Sequence, residues 1–209
     1  QVPMVETVKN SYNLSTIKLL REHVKLGLAW EYGRKLGLNL KEKDRGYSPL
    51  ALGGLTNGVT ALEMAQAYSV FANNGTYIEA HAVREIKQDL DEDGEFEVKE
   101  PEREPKKVEV FDKKTAYYMT RMLVQVIESG TGVEAKLEGG RVAAGKTGTT
   151  NEGKEAYFVG FTPQLVNASF IYNLPGDDPL TLSGGRHAAP IFKKIMDEAH
   201  KGKPKLSLK

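Results

Sequence analysis

The chain has 209 residues, 40% of them apolar and 27% charged, the make-up of a globular protein able to bury one sizeable core. Lysine plus arginine number 29 against 28 for aspartate plus glutamate, a net charge of +1, so no nucleic acid is expected as a partner. Cysteine is absent, which excludes disulfides, thiolate metal sites and thiol nucleophiles; the four histidines (His23, His81, His187, His200) match no metal-ligand spacing, so no metal or cofactor is expected.

Val5 and Val8 mark a short helix that stops at the polar cluster Asn10-Ser11-Tyr12-Asn13. From Ser15 to Leu36, Ile17, Leu20, Val24 and Leu28 recur at helical spacing; Gly27 is expected to divide this helix and Gly37 to follow its end. Residues 38–58 read as loop. Thr60 and Glu63 form a capping box that opens a helix through Met64, Ala67, Tyr68 and Phe71, ending at Asn73-Asn74-Gly75. From Tyr77 to Leu90, β-branched residues are mixed with charges, and a hairpin turn is predicted at Asp91–Gly94. Residues 89–107 hold nine acidic and four basic side chains, which predicts a solvated excursion. Asp112 caps a helix to about Glu128, ended by Ser129-Gly130-Thr131-Gly132. Strands are predicted at Arg141–Thr149, Ala156–Phe161 and Leu165–Tyr172, spaced for antiparallel hairpins, and Pro190 starts a last helix. The fold class is α+β, an antiparallel sheet flanked by helices. Residues 1–200 are expected to form the domain and 201–209 an exposed, frayed basic tail.

Two short strings carry chemistry. Lys146-Thr147-Gly148, extended by Thr149, joins an ammonium, two hydroxyls and a glycine that lets backbone approach a ligand, which suits a carboxylate-binding strand edge. Ser11-Tyr12-Asn13 offers a hydroxyl able to relay a proton and an amide able to hold a carbonyl. Alone, each is close to chance: Lys-Thr-Gly is expected in about one chain in ten of this composition and Ser-x-Asn in roughly one in three.

Their order and surroundings change that. Ser11-Tyr12-Asn13-Leu14-Ser15-Thr16-Ile17-Lys18, Gly53-Gly54 through Gly58-Val59-Thr60-Ala61-Leu62-Glu63-Met64, Phe71-Ala72-Asn73-Asn74-Gly75 and Gly130-Thr131-Gly132 follow in sequence. Gly145-Lys146-Thr147-Gly148-Thr149-Thr150-Asn151, Tyr157–Pro163 and Gly184-Gly185 with Ala188-Ala189-Pro190 complete the series. The whole resembles the transpeptidase domain of class A (bifunctional) penicillin-binding proteins, a serine acyl-enzyme family marked by Ser-x-x-Lys, Ser-x-Asn and Lys-Thr-Gly.

The resemblance implies a peptidoglycan D,D-transpeptidase. A serine attacks the penultimate D-alanine carbonyl of a stem peptide and expels D-alanine; an amine of a second stem then resolves the acyl-enzyme. β-Lactam antibiotics would be trapped as stable acyl-enzymes. It implies Lys146, Ser11 and Asn13 as catalytic residues: Lys146 for the substrate carboxylate, Ser11 for proton relay and Asn13 for the substrate amide. Thr147, Gly148 and Thr149 would bind substrate, the Thr149 N–H as an oxyanion donor. It places the parent protein on the outer face of the bacterial cytoplasmic membrane.

The family's Ser-x-x-Lys precedes Ser-x-Asn, and only ten residues precede Ser11. A missing N-terminal part of the domain is therefore expected to supply the nucleophile, and with it targeting segments. Ser15-Thr16-Ile17-Lys18 matches the pattern but lies downstream of Ser-x-Asn, in reversed order; it reads as a helix start and a solvated lysine. Alternatives within the same fold are a D,D-carboxypeptidase, a β-lactamase-like hydrolase and a non-catalytic scaffold. No Glu-x-x-x-Asn follows Ser11, which disfavours the class A β-lactamase among them.

Overall fold

The structure is a computed structural model that describes residues 2–83, 85–89, 96–99, 104–150, 153–174, 176 and 180–208. Its centre is an antiparallel sheet of β5 (Ala144–Thr149), β6 (Glu155–Phe161) and β7 (Val166–Tyr172), in that order. Lys146 pairs with Val159 and Phe158 with Ser169, which fixes the register across all three strands.

Alternation along β6 separates two buried faces. On one, Ala156 and Phe158 pack with Phe192 and Met196 of α7 (Ala189–Ala199); the Phe158 and Phe192 rings lie 4.7 Å apart. On the other, Phe161 and Ala144 meet Leu123 and Val124 of α6 (Lys113–Ser129), with Tyr68 and Phe71 of α5 (Ala61–Ala72) alongside. Phe158, Phe161 and Phe192 are fully buried, each worth about 1.5–3 kcal/mol of transfer free energy. α6 and α5 start at the predicted caps: Asp112 accepts from the Thr115 N–H at 2.7 Å, and Thr60 and Glu63 close a capping box.

Helices α1 (Met4–Asn10), α2 (Asn13–Leu19), α3 (Leu26–Lys35) and α4 (Tyr47–Leu52) form the helical portion. The predicted division at Gly27 falls instead at Lys25. A π-helical turn, Leu20–Val24, is closed by the Lys25 N–H on Leu20 O at 2.7 Å, and Lys25 turns the chain at φ 71°. Gly27 stays inside α3, because a glycine weakens a helix by about 1 kcal/mol without breaking it.

Within the predicted loop 38–58, α4 forms as a short helix bracketed by Gly46 and the left-handed Gly53. Asp44 anchors that segment. Its buried carboxylate accepts from the Thr56 hydroxyl and N–H, both at 2.6 Å, and from the Lys41 N–H at 2.8 Å. The Thr56 hydroxyl, then those N–H groups, hold its pKa below the usual aspartate range.

β1 (Thr76–Ile78) pairs with β4 (Lys107–Glu109), and β2 (Ile86–Asp89) with β3 (Phe96–Lys99), both antiparallel. The hairpin turn expected at Asp91–Gly94 lies outside the described residues. The C-terminal tail stays largely exposed but is tied down rather than frayed. Arg141 donates to the carbonyls of Lys203 and Pro204 at 2.8 and 2.9 Å, and Leu208 packs beside the Phe161 cluster.

Candidate active site

β5 is an edge strand among the described residues, paired with β6 on one side only. Alternation places Lys146 and Gly148 toward one face of the sheet and Thr147 and Thr149 toward the other. The strand therefore presents an ammonium, two hydroxyls and a side-chain-free stretch of backbone along one edge.

The Lys146 ammonium donates to Ser11 Oγ at 2.8 Å and to the Thr147 carbonyl at 2.9 Å. An ammonium has three N–H groups, so among the described residues one is left for a ligand. Burial depresses the Lys146 pKa from 10.5 to about 8, because the charged form is partly desolvated. Near neutrality the group is a cation whose proton is held less firmly than that of a solvated lysine.

Ser11 reaches Lys146 through an unusual backbone. It ends α1 in the left-handed region, φ 57° and ψ 47°. A non-glycine residue there costs of order 1 kcal/mol or more, and such strain concentrates at functional sites. The turn lets α2 begin at Asn13, two positions on. The Asn13 side chain is exposed and makes no hydrogen bond among the described residues, so the structure joins Ser11 to Lys146 directly and leaves Asn13 beside them.

Residues that sequence reasoning assigned no role complete the site. The Thr147 hydroxyl lies 2.7 Å from that of Thr131, in the turn after α6. The Thr149 hydroxyl accepts from the Gly184 N–H at 3.0 Å. Gly184 lies against β5: a Cβ there would sit 2.4 Å from the Gly148 carbonyl oxygen. Both residues stood inside strings of the family resemblance, but only the three-dimensional arrangement gives them partners.

The Ser15 hydroxyl is engaged elsewhere. It donates to the Tyr12 carbonyl at 3.1 Å and accepts from the Thr7 hydroxyl at 3.1 Å, while Lys18 is exposed. His200 is buried and satisfied, bonded to Thr162 Oγ1 at 2.9 Å and to the Met196 carbonyl at 2.7 Å. Among the described residues no group of histidine and acidic side chains could hold a metal ion.

Residues 24–197 match the family of the penicillin binding protein transpeptidase domain, well over half of the chain. The chain belongs to the penicillin-binding protein transpeptidase family. The family match takes in Lys146, Thr147, Gly148 and Thr149; Ser11 and Asn13 precede it.

Curated penicillin-binding proteins extend the likeness over nearly the whole chain. Penicillin-binding protein 1A of Neisseria meningitidis is 34% identical over 208 residues, covering 97% of this chain and 25% of its own length. Penicillin-binding protein 1F of Bacillus subtilis is 34% identical over 206 residues, 95% of this chain and 27% of its own. The chain thus spans about a quarter of the length of the curated relatives it matches. The fold agrees. The penicillin-binding protein PonA1 of Mycobacterium tuberculosis superposes with a TM-score of 0.72 at 24% identity, over 98% of this chain and 58% of that one. The D,D-transpeptidase domain of a peptidoglycan glycosyltransferase from Eggerthella lenta gives 0.70 at 20% identity, over 94% and 54%. The penicillin-binding transpeptidase fold and the family drawn from the motifs are borne out.

Proposed function

We propose that this penicillin-binding transpeptidase chain forms the carboxylate- and carbonyl-binding part of a peptidoglycan D,D-transpeptidase working through a serine acyl-enzyme. The supporting observation is the Lys146 ammonium, held 2.8 Å from Ser11 Oγ on an edge strand, with one N–H to spare among the described residues. A stem peptide ending in D-Ala-D-Ala presents a terminal carboxylate and a scissile amide. The free N–H of Lys146 and the hydroxyls of Thr147 and Thr149 bind the carboxylate. The backbone beside Gly148 approaches the peptide unhindered, and the Thr149 N–H serves the developing oxyanion. Asn13, whose amide is unpaired among the described residues, takes the substrate carbonyl.

The nucleophile is a serine of a Ser-x-x-Lys segment outside these 209 residues, in the same domain of the longer protein. Its hydroxyl proton passes to the lysine of that segment as its oxygen bonds to the D-alanine carbonyl carbon; the C–N bond then breaks, and the leaving nitrogen takes up a proton. Ser11 passes that proton on from Lys146, whose depressed pKa makes it a ready donor. An amine of a neighbouring stem then attacks the acyl carbon, its surplus proton recharges Lys146 through Ser11, and the serine oxygen leaves with the proton held by its own lysine. A β-lactam supplies the same carboxylate and carbonyl, but its leaving nitrogen stays tethered, so the acyl-enzyme persists. The parent protein works at the outer face of the cytoplasmic membrane. Residues 1–200 are the domain part and 201–209 its basic tail.

The test is acylation of the intact protein by a labelled penicillin, followed by peptide cross-linking with an acceptor amine. Labelling and cross-linking that both fall at least about a hundred-fold in K146A support the reading; unchanged rates contradict it.

A further inference from the structure

We propose that Thr131 is a positioning residue that ties the two halves of this site together and sets the polarity of the Thr147 hydroxyl for a carboxylate; the inference rests on the acyltransferase reading above. Its backbone N–H donates to the Lys9 carbonyl at 3.2 Å, in the last turn of the helix that ends at Ser11. Its hydroxyl meets that of Thr147 on β5 at 2.7 Å. One residue thus holds both the segment carrying Ser11 and the strand carrying Lys146.

Thr131 is exposed, but the backbone around it has little freedom. A Cβ on Gly130 would lie 2.5 Å from the Lys9 carbonyl oxygen, and one on Gly132 would lie 2.9 Å from the Phe158 ring. A Cβ on Gly185 would lie 2.4 Å from the Thr131 carbonyl oxygen. α1, α6, β6 and the Gly184–Ala188 turn all press on this one corner.

The hydroxyl pair has a directional consequence. Each hydroxyl has one hydrogen, and an ionised carboxylate only accepts. With a carboxylate on the strand edge, Thr147 donates to the ligand and accepts from Thr131. Thr131 holds the Thr147 oxygen so that its hydrogen points at the ligand. An isosteric valine at 131 keeps the packing and loses that donor; a serine restores it.

The experiment compares the intact protein as wild type, T131V and T131S. Acylation rates are measured with a penicillin and with the same penicillin whose carboxylate is converted to an amide. The rate ratio between the two ligands is taken within each variant, so partial loss of folded protein cancels. On the carboxylate form T131V is expected to react about ten-fold more slowly than wild type, and T131S within about two-fold. On the amide the T131V deficit is expected to shrink to less than about two-fold. A T131V rate equal to wild type on the carboxylate form, or equally reduced on both, overturns the role of Thr131. A wild type that takes no label from either ligand overturns the acyltransferase reading, and this inference with it; a labelled wild type confines any failure to Thr131.

Discussion

Lys146 carries two opposed demands. The proposed carboxylate site needs its charge, and burial disfavours that charge, which lowers the pKa to about 8. The unfolded chain binds the proton more tightly, so stability rises with pH between about 8 and 10.5 as the folded group goes neutral first. Below that window the buried charge costs on the order of 3 kcal/mol. K146M, which keeps the stem and drops the charge, is therefore expected to raise the melting temperature at pH 7 while acylation of the intact protein falls a hundred-fold or more. A variant both inactive and less stable would contradict this. The wild-type rate on carboxylate-bearing ligands is expected to decline as pH rises through about 8, read from a pH–rate profile; a flat profile to pH 9.5 would contradict it. Little of this was legible in the chain alone. The Ser11–Lys146 contact spans 135 positions, and no local pattern joins them. The family resemblance paired the two residues, but the left-handed turn at Ser11 that brings them together has no sequence signal, since serine is not a residue that favours it.

At the scale of elements, capped and periodic segments were readable and tertiary contacts were not. The Asp112 and Thr60 caps and the three central strands emerged close to their predicted limits, because each is specified by neighbours in sequence. The break at Lys25 and the helix at Tyr47–Leu52 were missed, since a π-helical turn and a buried Asp44 leave no periodic trace. Both give predictions. D44N swaps one acceptor oxygen for an amide that must face the N–H groups of Lys41 or Thr56, so protease cleavage within residues 41–56 is expected to rise. In the wild type, the stability this carboxylate adds is present above pH 3.8 and is lost as pH falls through its depressed pKa. G184A places a Cβ 2.4 Å from the Gly148 oxygen and 2.6 Å from that of Tyr157. A loss of about 1–3 kcal/mol is expected from this overpacking, seen as a lower urea midpoint at constant slope. A midpoint equal to wild type would mean the Gly184–Ala188 turn does not press on β5 as described.

Taken whole, the chain is well packed around its sheet and sparsely packed in its helical portion. No residue of α2, α3 or α4 is buried, and Leu14 is 81% exposed, whereas α6 buries six residues between Ala116 and Ile127. Amides of α2–α4 are accordingly expected to exchange with solvent fastest, and those of α6 and β5–β7 slowest. The site lies where these two portions meet, with Ser11 on one and Lys146 on the other. In the proposed function this edge binds the carboxylate and the carbonyl while the attacking serine comes from outside these 209 residues. Peptide mapping of the intact protein after labelling with penicillin locates that serine. One acylated serine is expected, in a Ser-x-x-Lys segment beyond this sequence; an adduct on any serine of this chain, Ser15 above all, would rule the assignment out.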